Sequence, residues 1–182
     1  MEPRMSTVSL LIPLLVAAAP MAQAPGAEPA ADQRCSVSRP PLPAGLTGWA
    51  RRAPLAAGTS TRSAPVIVVG HGTDLRLAPV EQVTPAVTPQ REPDMGETAG
   101  LALFQVARPG TYRVALGDAA WIDVVRAGRA LAASAHGHGP ACSGIRKMVD
   151  FQLESGRYVL QLSGTKASSL PVMIARAPRV AA

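Results

Sequence analysis

Aromatic residues are scarce in this chain, with two Trp, two Tyr and two Phe in 182 positions. Rings that could stack on single-stranded bases are correspondingly few. The sequence has no asparagine, only two lysines (Lys147, Lys166), three histidines and two cysteines. Two cysteines exclude both a disulfide-dense scaffold and a four-thiolate zinc site. No Gly-x-Ser-x-Gly segment occurs, and Ser143 has no base and carboxylate spaced for a nucleophilic triad. No stretch repeats its apolar residues at the spacing of an amphipathic helix. After the first two dozen residues, no apolar run is long enough to span a membrane.

The charge is basic, +6 overall, and sixteen of the eighteen basic residues are arginine. These are scattered along the chain, and only Arg51-Arg52 and Arg146-Lys147 are adjacent. A nucleic-acid surface needs clustered cations and usually aromatic partners, so no nucleic-acid partner is expected. Arg- and Ala-rich usage without asparagine is the bias that a GC-rich bacterial genome imposes.

The first residues have the form of an export signal. Arg4 gives a positive start, Val8 to Ala19 is apolar, and Ala22-Gln23-Ala24 is a small-x-small cleavage site. Pro13 and the shortness of the apolar run favour cleavage over anchoring. Cys35 follows Ala31-Asp32-Gln33-Arg34 rather than an apolar lipobox, which argues against a lipid anchor. The expectation is a signal peptide over 1–24, no stable membrane span after cleavage, and a periplasmic or secreted product. Export would place Cys35 and Cys142 in an oxidising compartment, where they are each other's only partner. A Cys35–Cys142 disulfide is therefore expected.

Residues 25–65 are rich in Pro, Ala, Gly and Ser and show neither helical nor strand periodicity, so an irregular segment is expected there. Trp49 stands out as an anchor onto a domain edge. From 66 to 182 the pattern becomes short alternating runs separated by turn residues. Val66–Val69, Leu101–Val106, Thr111–Leu116, Trp121–Val125, Lys147–Leu153, Arg157–Leu162 and Leu170–Ala175 read as strands, with Ala127-Gly128 as a hairpin turn and the HGHG segment as a Gly-rich loop. Val114, Val124, Phe151, Leu160 and either Leu103 or Phe104 are the expected core. The fold class is all-β, a single-domain antiparallel β-sandwich of jelly-roll-like form.

Two segments echo each other: FQVARPGTYRVAL and FQLESGRYVLQL each join two alternating strands through a polar turn that closes on Gly-x-Tyr. In this the chain resembles the bacterial pre-peptidase C-terminal type of exported β-sandwich, and the resemblance implies an accessory or binding module. The run from Ala120 to Phe151, through Trp121, Asp123, His136, His138, Cys142 and Lys147, is also similar to a small family of exported proteobacterial proteins labelled homogentisate 1,2-dioxygenase. That label implies a ring-cleaving enzyme with non-haem iron.

The segment HGHGPACSGIRK (136–147) carries the chemistry to be tested. On an extended chain, positions i and i+2 point the same way, so His136 and His138 could share a copper or zinc ion, with Cys142, His71, Asp123 or Asp150 as third ligand. An iron dioxygenase needs two histidines and a carboxylate on one face of the metal. In cupin barrels His-x-His is followed by Glu and later by another His. Here Cys142 and Ser143 stand where Glu is expected, and no histidine follows His138. Arg146 and Lys147 could hold an anion. The expected function is an exported binding or accessory protein acting on a small ligand or an envelope component, with a weak His-based metal site. The alternative is the metal-dependent dioxygenase of the family label, and no catalytic residue or cofactor is assigned.

Overall fold

Alternation becomes strand wherever one face of the chain can be buried, and this is how the second half of the sequence folds. In a computed structural model, which describes Cys35 and residues 40–178, eleven strands form two sheets. Strands β1 (Arg52–Ala56), β2 (Gly72–Arg76), β11 (Ser169–Arg176), β5 (Gly110–Leu116), β9 (Lys147–Leu153) and β8 (Ala135–Gly137) make the first sheet in that order. Strands β3 (Ala78–Pro79), β4 (Thr98–Val106), β10 (Gly156–Thr165), β6 (Trp121–Arg126) and β7 (Arg129–Ala130) make the second. All pairings are antiparallel except β1 with β2. The architecture is a single-domain β-sandwich. The expected signal peptide over 1–24 lies outside the described residues, as does most of 25–39.

The core between the sheets takes alternate residues from each strand: Phe104 and Val106, Val114 and Leu116, Ile122 and Val124, Val149 and Phe151, Leu160 and Leu162. Of the two alternatives on β4, Phe104 is the core residue and stacks on Tyr158 with ring centroids 5.4 Å apart. The echoed segments cross between sheets rather than forming hairpins. β4 and β5 lie in different sheets, as do β9 and β10. Each crossing is a tyrosine corner, in which the phenol donates to a carbonyl four residues back: Tyr112 to Arg108 at 2.9 Å and Tyr158 to Glu154 at 2.8 Å. An arginine covers each corner glycine. Arg176 donates to Pro109 O beside Gly110, and Arg126 donates to Ser155 O beside Gly156.

Three local expectations are corrected. Residues 25–65 were expected to be irregular, yet Arg52–Ala56 is strand β1, added parallel to β2 at the sheet edge. Pro54 and the lack of alternation hid it: an edge strand tolerates a missing N–H, and an exposed strand needs no apolar face. Val66–Val69 forms only an isolated bridge from Val66 to Leu103 instead of a strand. The HGHG segment is not wholly loop, because His136 sits in β8 opposite Val149.

A second apolar cluster lies on the outer face of the first sheet. Leu46 and Trp49 pack there with Ala115, Met173 and Ile145, so residues 40–50 and the 140–146 loop form a partial third layer. Trp49 Nε1 donates to Ser143 O at 3.1 Å, which makes Trp49 the expected anchor. The Cys35–Cys142 disulfide, spanning 107 positions, ties the chain on one side of this layer to the loop on the other. Closing so long a loop restricts the unfolded chain by at most about 4–5 kcal/mol. Reduction, or Cys35→Ser with Cys142→Ser, is expected to lower unfolding stability by no more than this while keeping the sandwich; denaturant titration followed by circular dichroism checks it.

Candidate functional site

The hairpin β6–β7 is short, and this shortness opens the sandwich. Ala127 and Gly128, both at positive φ, turn the chain so that Arg126 pairs with Arg129. Leu131 N–H makes one further bond to Val124 O; the chain then leaves the second sheet and reaches the first, where Ser134 N–H and Oγ both donate to Asp150 O. Beneath this crossover lies a cleft of about 580 Å³. Its walls include Ile122, Leu131, Val149 and Phe151, with Trp121, Lys147 and His136 at the polar end. Small-ligand sites have this size and this mixture of apolar walls and few polar groups.

Lys147 reaches the cleft because it shares strand parity with Val149, Phe151 and Leu153, the inward-facing residues of β9. Its ammonium crosses to the other sheet, donates to Ala120 O at 2.7 Å and lies 5.4 Å from the centre of the Trp121 ring. One of its three N–H bonds is used in this way. Burial pulls its pKa below that of an ordinary lysine. His136 faces the same cleft from the edge strand β8.

On the outer face of the second sheet, Asp123 is 1% exposed. Trp121 Nε1 donates to one carboxylate oxygen at 3.2 Å and Gln161 Nε2 to the other at 3.0 Å. Gln161 also holds the covering loop: its Oε1 accepts from Ala86 N–H and Val87 N–H, and its Nε2 donates to Val87 O. Burial raises the Asp123 pKa, against the lowering effect of the Gln161 and Trp121 hydrogen bonds.

The other residues singled out in the sequence do not converge. Cys142 is in the disulfide and is lost as a thiolate ligand. His71 precedes β2, four strands from β8 in the sheet order, or about 19 Å at the usual spacing. Asp150 is next to Val149 and so points to the opposite face, where it makes a two-pronged ion pair with Arg113 at 2.7 and 2.8 Å. Asp123 is separated from His136 by the sheet itself. His138 is exposed, and its Nδ1 lies 2.8 Å from Arg146 O. Among the described residues, no three His, Cys, Asp or Glu side chains gather in a way that could hold a metal. The two-histidine, one-carboxylate set of an iron dioxygenase is therefore not assembled around His136 and His138. Arg146 and Lys147 also separate: Arg146 is solvent-exposed, 3.8 Å from Asp118, while Lys147 points inward.

No protein-family model matches this sequence, and comparison with curated proteins finds no similar chain.

Of the residues central to this end of the molecule, Gln161 was not singled out in the sequence, and Lys147 was paired with Arg146 as an anion holder rather than placed in a cleft. The polar Gln161 in the middle of the apolar strand RYVLQL, and the in-phase placement of Lys147 with Val149 and Phe151, were the available signals. The buried carboxyl gives a pH prediction. Its folded pKa exceeds its unfolded one, so the folded state holds the proton more tightly; this stabilisation is complete below the unfolded value and lost as pH rises through the folded one. As pH rises from below the ordinary carboxyl range through the raised value, the wild type should lose stability relative to Asp123→Asn. Parallel urea midpoints for the two proteins across that range are the check, and a constant difference would contradict the assignment.

Proposed function

We propose that this chain is an exported, periplasmic or secreted, β-sandwich binding protein whose cleft takes a small amphiphilic carboxylate. The observation that carries the reading is the inward lysine. A cation at the end of an otherwise apolar cleft favours a ligand with an apolar body and one anionic end. The body would lie against Ile122, Leu131, Val149 and Phe151, and the carboxylate would take the remaining N–H bonds of Lys147. The disulfide, and the absence among the described residues of any helix long and apolar enough to cross a membrane, are compatible with export. Aliphatic carboxylates of increasing length should bind with affinity that grows with chain length, as read by Trp121 fluorescence and calorimetry. Lys147→Met should weaken binding by about 10- to 100-fold, the worth of a charge-assisted hydrogen bond. Lys147→Arg should restore part of it, and circular dichroism should report an intact fold in both. Equal binding by the Met variant would contradict the reading.

A second reading is weak capture of copper or zinc by His136 and His138, and one observation favours it. The partner of His138 Nδ1 is a carbonyl, which only accepts, so Nδ1 carries the proton and Nε2 presents its lone pair. Second-shell bonds of this kind orient metal-bound histidines. Calorimetry with copper and zinc salts should show weak binding that disappears in His136→Ala/His138→Ala. The double variant should unfold within about 0.5 kcal/mol of the wild type, as surface substitutions do. Unchanged metal binding would remove the site.

A further inference from the structure

The arginines that lie scattered in the sequence are gathered by the fold. Strands β4, β6, β9 and β11 end, and β5, β7 and β10 begin, at one end of the sandwich. Val106 there faces Gly156, Gly110 faces Leu153, Arg126 faces Arg129 and Arg176 faces Tyr112. Arg108, Arg126, Arg129, Arg157 and Arg176 all stand at this end, and all are exposed. Among the described residues none of these arginines makes an ion pair, and Glu154 is the one acidic residue in the same turns and strand ends. Acids collect at the opposite end: Asp94 and Glu97 precede β4, Asp118 follows β5, and Glu81 accepts from Gly96 N–H. The sandwich is therefore polarised along its strands.

We infer that this arginine-rich end docks on a membrane surface that carries anionic phosphate headgroups. The inference does not use the cleft and stands apart from the carboxylate reading. Two of the guanidiniums are already held in place. Arg126 Nη1 donates to Tyr158 OH at 2.9 Å and its Nη2 to Ser155 O at 3.2 Å, while Arg176 Nη2 donates to Pro109 O at 3.0 Å. These partners are neutral, so each arginine keeps its full charge, and a guanidinium with five N–H donors has several left for phosphate oxygens. Sheets about 10 Å apart and strands about 4.8 Å apart spread the arginines over a cap on the order of 15 Å across, wide enough for several headgroups. Turns make up this cap, and it projects outward, a shape that meets a flat surface better than it encloses a strand of nucleic acid. Its two rings, Tyr112 and Tyr158, are buried, so none is presented for stacking on bases. Arginine grips phosphate with two parallel N–H bonds, which suits it to this surface.

The test is co-sedimentation of the intact protein with vesicles of phosphatidylcholine alone or mixed with phosphatidylglycerol. Contact through the apolar residues 8–19 would be alike on both, whereas the arginine cap should favour the anionic vesicles. That preference should fade between about 0.1 M and about 1 M salt, as the screening length contracts from about 10 Å to about 3 Å. Arg126 and Arg176 are left in place because they hold the corners. The triple variant Arg108→Gln/Arg129→Gln/Arg157→Gln should bind anionic vesicles on the order of 100-fold more weakly, about fivefold for each basic residue near an anionic leaflet. Its circular dichroism should match that of the wild type. Arg146→Gln/Lys166→Gln, at the opposite end, should bind as the wild type does. Equal sedimentation with both kinds of vesicle, a triple variant that binds like the wild type, or an equal loss in the opposite-end variant would overturn the docking surface. Tighter binding to a short DNA duplex than to anionic vesicles at equal phosphate concentration would overturn the membrane assignment.

Discussion

The Lys147 ammonium spans the open side of the sandwich, and the chemistry of that edge depends on it. Its stem continues the inward row of β9 and its head closes on Ala120 O in the other sheet. A long cationic side chain can bury its methylenes and still keep its charge near water, and here the charge also lies over the Trp121 ring. Burial weakens the hold on its proton. The site is therefore a cation whose hydration is partly stripped and only partly replaced, which is the condition under which a ligand anion gains most.

The opposite face of the same strand is organised by polar contacts. Asp123, Trp121 and Gln161 satisfy one another beneath the loop that Gln161 holds, so β6 is fixed from outside while Ile122 lines the cleft. A strand held in this way is a rigid wall, and rigid elements hold a binding geometry better than loops do. The paired tyrosine corners and their covering arginines fix the crossings between sheets.

Much of the fold was legible because alternation is a local signal. Phe104, Val114, Val124, Phe151 and Leu160 all reach the core that their spacing implies. The cysteines found each other because two thiols in one chain leave no other choice. β1 was hidden because an exposed edge strand has no alternation to show. The site was less legible, because it depends on which sheet each strand joins. Adjacent residues such as Arg146 and Lys147, or Val149 and Asp150, suggest proximity in sequence but face opposite ways. The separation of His71 from His136 follows from strand order, which periodicity does not encode.

Because the chain has only two lysines, the central claim can be read at a single nitrogen. Lysine-specific ¹⁵N labelling should give two side-chain ammonium signals, Lys147 in the cleft and the exposed Lys166 as internal reference. On addition of an amphiphilic carboxylate, the Lys147 signal should shift and saturate while that of Lys166 stays in place. A Lys147 signal that does not move, or that moves only together with Lys166, would contradict the account.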